Sequence, residues 1–566
     1  MSRGFREIIW PAKPQPAQSK RIALRRLMVG KIIAFSCLAL IGAKASYLAT
    51  NSDLRSHHAT AKQASIERGL ITDRNGKVLA TSVPVKILHA DPKHILDPFE
   101  TAAKLAPLLP NWSEERLLKR FAKQTRYVEL ERRLTPNRHK EIIALGLPGI
   151  TVTPTTTRLY PHGNEAAHIL GVLDVDGKGI AGIEKKFDET LTAGKPIALS
   201  IDVGVQAIVR HEIQKQIDAF EAIGGAGLVL DIKTGELLAL TSLPDFNPNH
   251  FAKASDDARF NRATTGVFEM GSIFKVLNTA IALESGAAAM GQHYEVSKPL
   301  LIARHRIADY HMMDRDLSLS EVLVYSSNIG SARIAEAIGP DTQRAYMDRL
   351  GLLRRLSLEL PEVARPLVPQ NWGRLSAMTI SFGHGLSVTP VHASAAIAAA
   401  AGDGTYRAPT LLKKDPLSTT IETQIFSPEH AKAVRSMMRL VVSHKDGTGN
   451  FAEAPGYLVG GKTGTAEKIV DGRYSKNKNM VSFVGTFPAH DPAYLIFVMV
   501  DEPKGQKFSY NYATAGWVAA PAIRKIVEQI APKLGVLPVD ENAPEIRQNL
   551  VPNIRIGKQE SKNAAL

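Results

Sequence analysis

The sequence predicts a multidomain α/β (α+β) chain carried on a single N-terminal transmembrane helix. Three observations predict it. Only one stretch, near the N-terminus, is apolar and long enough to span a bilayer. Downstream, runs with strand period alternate with runs of helix period. The length of 566 residues supplies about three to five domains' worth of chain. Hydrophobic residues make up 44% and charged residues 22%, ordinary globular values that exclude collagen, a coiled-coil rod and a wholly disordered chain. Cys37 is the sole cysteine, so neither an intramolecular disulfide nor a cysteine metal cluster is expected.

The net charge of +15 invites a nucleic-acid reading, but its distribution does not. Residues 1–26 hold seven Lys/Arg and one acid, and with Lys31 and Lys44 they account for more than half of the excess. The basic feature is a tail, so no nucleic-acid partner is expected. The tail leads into Leu27 to Ala49, which is long enough to cross the hydrocarbon if Lys31 and Lys44 snorkel to opposite interfaces. The cationic flank predicts a cytoplasmic N-terminus with the bulk of the chain outside. A signal peptide cleaved near Ala43-Lys44-Ala45 and a buried soluble helix are the competing readings.

Residues 51–66 are polar and read as a stalk, with His57-His58 as ordinary stalk residues. Asn75-Gly76 between two apolar runs predicts a hairpin. Residues 98–146 read as helical from their mixed charges and apolar spacing, and a Gly/Pro/Thr-rich stretch follows. Composition changes near residue 224, where Gly224 to Asp231 reads as a Gly-rich turn into a strand. Lys233-Thr234-Gly235 then turns into Glu236 to Ser242. Strands are expected at 480–485 and 494–500, then a helix over 522–534.

Three segments carry chemistry. Gly271-Ser272-Ile273-Phe274-Lys275 opens an apolar helix, with Ser272 in an N-cap position and Lys275 three residues on, on the same face. Burial and the helix dipole would favour a neutral lysine able to take the serine proton. Ser326-Ser327-Asn328 follows the capping box Ser318-Leu319-Ser320-Glu321 and sits between two helices. There a hydroxyl and an amide point one way. Lys462-Thr463-Gly464-Thr465 lies in a Gly-rich strand and supplies a cation and hydroxyls for a carboxylate. Each alone is commonplace: a capping serine, a polar turn, an edge strand. Together and in this order, 54 and then 136 residues apart, they are specific.

With these motifs the chain resembles a class B penicillin-binding protein over nearly its whole length. Arg68-Gly69 with Asp73-Arg74-Asn75-Gly76, Arg158-Leu159-Tyr160-Pro161 and Gly179 to Glu184 are similar to the family's pedestal signatures. Pro244 to Asn249 and Gly383 to Pro390 are similar to further family segments. The run Asp174 to Gly179 resembles the division (FtsI) type more than the elongation type, which is the competing assignment. Met270 stands where many members have proline, and Glu467 places an acid just after the Lys-Thr-Gly-Thr strand, where it alters groove electrostatics.

The resemblance implies a cytoplasmic tail (1–26), an anchor (27–49), an extended pedestal (50–223), a transpeptidase domain (224–544) and a C-terminal tail (545–566). The catalytic domain is expected to have a mainly antiparallel sheet flanked by helices, with the Lys-Thr-Gly strand at its edge. The implied reaction is acyl transfer on the D-Ala-D-Ala ends of peptidoglycan stem peptides. Ser272 is the implied nucleophile and Lys275 its base. Ser326 relays the proton to the leaving D-Ala, and Lys462 keeps that hydroxyl acidic. Asn328 holds the substrate amide, while Thr463, Gly464 and Thr465 line the carboxylate site. The N–H groups of Ser272 and Thr465 form an oxyanion hole, each donor typically contributing about 2.7–4 kcal/mol. β-Lactams would trap Ser272. No cofactor or metal is implied. The implied partners are the membrane, a polytopic glycan polymerase and division-complex proteins.

One rival is forced by the residues themselves. Gly456 to Thr463 matches the phosphate-loop pattern G-x-x-x-x-G-K-T, and Leu495 to Glu502 looks like the acidic strand of an ATPase. Against it, Gly449 to Pro455 is no strand and Thr463-Gly464-Thr465 favours extended structure. A non-catalytic β-lactam sensor and a β-lactamase would keep the same three motifs, though a soluble hydrolase has no use for the long pedestal.

Overall fold

The computed structural model describes residues 16–50, 67–302, 305–415, 422–470 and 473–550. The first fifteen residues of the expected tail, the stalk with His57-His58 and the residues after 550 lie outside these. The chain forms two units, divided after Ile66. Among the described residues the first contains one helix, α1 (Pro16–Thr50). Within it, Leu24–Tyr47 has a mean hydropathy of 1.8 and no buried residues. Its 24 residues reach about 36 Å, more than the roughly 30 Å of bilayer hydrocarbon. The helix is therefore long and apolar enough to cross a membrane.

In the second unit, β1 (Ile71–Thr72) turns back into β2 (Val78–Ala90) at Asn75-Gly76, as the sequence predicts. Asp73 Oδ1 accepts from the N–H groups of Asn75 and Lys77, both at 2.8 Å. The stretch expected to be helical is instead α2 (Pro98–Leu105), α3 (Glu114–Phe121), β3 (Val128–Leu134) and α4 (Pro136–Ala144). Val128 and Leu130 are buried while Glu129 and Glu131 are not, so the local period is two. Glu114 to Phe121, whose mixed charges and apolar spacing suggested a helix, is one, while the charges of Val128 to Leu134 lie on the outer face of a strand. With β4 (Ile150–Leu159) and β5 (Ile197–Ala198) these strands make a five-stranded sheet.

Glu184 ties the pedestal together. Its carboxylate is fully buried and takes Arg68 Nε and Arg158 Nε, each at 2.7 Å. Tyr160 OH donates to it at 3.4 Å. Burial and the adjacent Glu184 charge push the Tyr160 phenol well above its usual range. Asn249 then brackets Tyr160, accepting from its N–H at 3.0 Å and donating to its carbonyl at 2.9 Å. One apolar core runs from Ile71, Leu79 and Ile169 to Phe274 and Leu277, so the base of the pedestal and the catalytic layers pack as one body.

The catalytic layers contain α5 (Val203–Ala219), β6 (Gly224–Asp231), β7 (Leu237–Leu243), β8 (Phe268–Glu269), α6 (Phe274–Glu284), α7 (Leu319–Val324) and α8 (Asn328–Ile338). They continue with β9 (Ser387–Val388), α9 (Pro428–Ser443), β10 (Gly460–Val470), β11 (Arg473–Phe487), β12 (Tyr494–Asp501) and α10 (Ala515–Lys533). The main sheet is fully antiparallel in the order β10-β11-β12-β6-β7. The Lys-Thr-Gly strand β10 is at its edge, as expected.

Alternation along these strands serves two cores. Val229, Val481 and Ile496 pack with Val205, Val209 and Ile213 of α5 and Ile523 and Ile526 of α10. Leu228, Val484 and Phe497 pack with Leu277 of α6 and Met437 of α9. α5 precedes the expected boundary at 224 yet packs on this sheet. The Gly-rich opening is strand throughout rather than a turn, because Gly225 and Gly227 face α5: a Cβ on Gly227 would meet Ile213 Cδ1 at 2.4 Å. α10 starts seven residues before the expected helix and continues through Pro521.

The topology excludes the phosphate-loop reading. Lys462 pairs with Val484 and Thr463 with Phe483 inside a β ladder, so no helix opens after Gly461 to face a phosphate. Asp501 ends β12 against Lys468 at 2.8 Å.

Candidate active site

The Ser272 turn is built by close approach. Gly271 has φ +56 and opens a single 3-10 turn, Gly271–Ile273, that feeds α6. Ser272 thus lies in this turn and is not the helix N-cap the sequence suggests. A Cβ on Gly271 would meet Thr465 O at 2.7 Å, and one on Gly464 would meet Met270 O at 2.8 Å. The two glycines let the Ser272 turn lie directly against the β10 edge. This contact brings the Ser272 and Thr465 backbones together.

Lys275 follows one helical turn later and is 1% exposed. Its Nζ stands 2.8 Å from Ser272 Oγ, 2.7 Å from Asn328 Oδ1, 2.9 Å from Ser326 O and 3.2 Å from Ser326 Oγ. The carbonyl of Ser326 and the amide oxygen of Asn328 can only accept. They use two N–H groups, which is all a neutral amine has. Its lone pair is then left for the two serine hydroxyls. Burial pushes the Lys275 pKa down to about 7, against the opposing pull of Asp309.

Ser326 occupies the left-handed region, at φ +60, in the turn between α7 and α8. The capping box Ser318–Glu321 forms as expected. The turn is held by Asp309, a residue that no local pattern singles out. Its carboxylate accepts from Ser327 Oγ at 2.6 Å, from Ile329 N at 3.0 Å and from Asn328 N. Ser327 caps α8 by accepting from Gly330 N at 2.9 Å. Asn328 Nδ2 donates to Ala308 O at 3.2 Å, which turns Oδ1 toward Lys275. Asp309→Asn is expected to replace an acceptor by an amide facing N–H groups. It should cost about 1–2 kcal/mol of stability and slow acylation roughly tenfold. It should also move the pH limb of acylation to lower pH, because the charge that favours the Lys275 ammonium is gone. Thermal unfolding and acylation kinetics by benzylpenicillin check both.

Lys462 is fully buried and donates to Thr463 O and Thr463 Oγ1, both at 3.1 Å. Thr463 Oγ1 also pairs with Thr448 Oγ1 at 2.8 Å. Burial, then the nearby Lys275, holds the Lys462 amine well below its usual pKa. Among the described residues no carboxylate pairs with it, so an arriving carboxylate would supply its counter-charge. Its hydrogen bonds go to Thr463, and any action on Ser326 is by charge. Thr465 is exposed on the groove edge. The three motifs, scattered along the chain, thus meet within hydrogen-bond range of one amine or across one glycine contact.

Residues 225–528 match the penicillin binding protein transpeptidase domain, and residues 63–200 match the penicillin-binding protein dimerisation domain. The chain belongs to the class B penicillin-binding proteins. This penicillin-binding protein is 39% identical over 482 residues to the probable peptidoglycan D,D-transpeptidase FtsI of Caulobacter vibrioides, covering 83% of this chain and 82% of the relative. It is 32% identical over 528 residues to the peptidoglycan D,D-transpeptidase FtsI of Escherichia coli K12, covering 87% of each. These relatives place it with the division type rather than the elongation type. Among solved structures, penicillin binding protein 3 of Mycobacterium tuberculosis in complex with aztreonam shares the fold, with a TM-score of 0.67, 23% identity and coverage of 84% of this chain and 98% of that one.

Proposed function

We propose that this penicillin-binding protein cross-links peptidoglycan stem peptides at the division septum through an acyl-enzyme on Ser272. The observation that carries the reading is the placement of the Lys275 amine 2.8 Å from Ser272 Oγ, with its N–H groups spent on Ser326 O and Asn328 Oδ1. Neutral Lys275 takes the Ser272 proton as Oγ attacks the carbonyl of the penultimate D-Ala. The developing oxyanion faces the N–H groups of Ser272 and Thr465. Ser326 relays the proton to the leaving D-Ala amine, while Thr463 and Thr465 hold its carboxylate and Lys462 balances the charge. An amine from a second stem peptide then attacks the ester, and Ser272 regains its proton. β-Lactams acylate the same hydroxyl.

The test is turnover. The full chain in detergent is given a peptide ending in D-Ala-D-Ala with an amine acceptor. The expected product is the cross-linked peptide, in excess over hydrolysis. Predominant hydrolysis would indicate a carboxypeptidase or β-lactamase. No D-Ala release from a protein that penicillin acylates would indicate a sensor.

The basic flank of α1 supports a single-pass anchor in the inner membrane, with the N-terminus cytoplasmic and the catalytic layers periplasmic. The apolar helix offers a surface for partner contact within the membrane, and we assign a polytopic glycan polymerase and division-complex proteins as the partners. Polymerase association unchanged after exchange of residues 1–60 for an unrelated anchor overturns that assignment.

A further inference from the structure

Among the described residues β10 is laddered on one side only, by β11, and its other side is the groove. Yet β10 has to stand at one depth, since the Gly464–Met270 and Gly271–Thr465 approaches leave no space for a Cβ. A second device fixes where the strand begins.

That device is on α9, which packs both on β10 and on α6, the helix that carries Lys275. Gly460, the first residue of β10, lies against α9: a Cβ there would stand 3.1 Å from Arg439 N. Arg439 is 5% exposed. Its Nη1 donates to Val459 O at 2.9 Å, the last carbonyl before β10, and to Glu453 Oε2 at 2.5 Å. One guanidinium thus grips the start of β10, three residues before Lys462.

The other side of that guanidinium is held from beyond α10. The chain leaves α10 at Gly535, with φ +75, and returns to α9. Val539 N donates to Gly456 O at 2.8 Å. Gly456 has φ +84 and sits so close to the returning chain that a Cβ would meet Pro538 Cβ at 2.8 Å. Glu541 takes Arg439 Nε at 2.8 Å and Nη2 at 2.7 Å, a two-point pair. In α11 (Pro544–Asn549), Gln548 O accepts from Lys432 Nζ at 2.9 Å. Residues 535–549 therefore form a strap across the 453–459 segment that feeds β10. The Arg439 hydrogen bonds hold the Glu541 carboxyl below its usual range, so the strap is charged and paired at neutral pH.

We infer that Arg439 is a positioning residue of the acylation step: clamped by Glu541 of the strap, it fixes the start of β10 and so the depth at which Thr463 and Thr465 meet the Ser272 turn. This rests on the transpeptidase reading. Val459 lies about 10 Å of strand from Lys462, so Arg439 acts through β10 and not on the substrate. A misplacement of about 1 Å at a reacting centre can cost about 100-fold, so even a partial release of β10 is measurable. Removing the Glu541 charge leaves Arg439 with Glu453 and Val459 O, which loosens the grip without leaving the guanidinium unpaired.

The test separates rate from folding. Acylation of the full chain in detergent by benzylpenicillin is timed by intact mass, which gives a second-order acylation constant and a final acylated fraction. Glu541→Gln is expected to lower the constant about threefold. Arg439→Lys keeps the charge but loses the fork, and should lower it about tenfold. In both, the final acylated fraction stays that of the unaltered chain. Hydrogen exchange, read by mass spectrometry, should rise in the peptide covering β10 and stay unchanged in β6. A role confined to holding the fold together would shrink the acylated fraction and leave the constant alone. An unchanged constant, or a lowered one without faster exchange in β10, overturns the inference. Should Arg439→Lys fail to fold, Glu541→Gln still decides, because the Glu541 side chain is 39% exposed. An unaltered chain that benzylpenicillin does not acylate would instead refute the transpeptidase reading, and the exchange of β10 would still read the grip.

Discussion

Ser272→Ala is expected to remove the covalent benzylpenicillin adduct and to lower transpeptidation by about 10⁴-fold or more. Intact mass of the full chain reads the first effect: one adduct before the substitution, none after it. The reason is geometric. Of the two serine hydroxyls at Lys275 Nζ, Ser272 Oγ is nearer, at 2.8 Å against 3.2 Å for Ser326 Oγ. Ser272 also lies on the turn that touches the Thr465 backbone. Thermal unfolding of the variant should be nearly unchanged, because Ser272 is partly exposed and caps no helix. A surviving adduct would place the nucleophile elsewhere, with Ser326 as the next candidate.

The second large effect concerns Lys275. Its pKa is pushed down to about 7 by burial. The base is the neutral form, so acylation should rise with pH through about 7 and level off above it. Lys275→Arg keeps a cation at every accessible pH. It should lose about 10³-fold in acylation and show no such limb. The same shift has a stability consequence. The folded state holds fewer protons than the unfolded state between about 7 and 10.5, so this residue makes stability rise with pH across that window. Its destabilising effect is fully present below pH 7, where the charged amine must be buried. Denaturant unfolding at pH 6 and pH 9, compared with Lys275→Met, isolates that contribution. A pH-independent acylation rate in the unaltered chain would remove Lys275 as the base.

Much of this was legible in the chain. The Ser272–Lys275 pair is local: three residues on a helix share a face whatever the helix packs against. The capping box at Ser318 and the hairpin at Asn75-Gly76 are local for the same reason, and both formed. The edge strand was readable because Gly460-Gly461 and Gly464 leave little else to do than let a neighbour approach. Where reading failed, a tertiary contact had overruled a local pattern. The charges of Val128 to Leu134 suit a helix or a strand, and pairing with β2 chose the strand. The glycines of Gly224 to Gly227 suit a turn, and α5 packing against Gly225 and Gly227 favours a strand.

The sequence by itself therefore carried the pairing of Ser272 with Lys275, an apolar helix long enough to cross a membrane and the edge position of the Lys-Thr-Gly strand. These depend on periodicity and on spacing over a few residues. Only the tertiary structure decided that Asp309 holds the Ser326 turn, that Thr448 pairs with Thr463, and that Glu541 pairs with Arg439 at the start of the Lys-Thr-Gly strand. These contacts join residues between 15 and 102 positions apart. No local preference encodes such a pairing. It follows from burying two faces of one sheet, which fixes where each loop must come back.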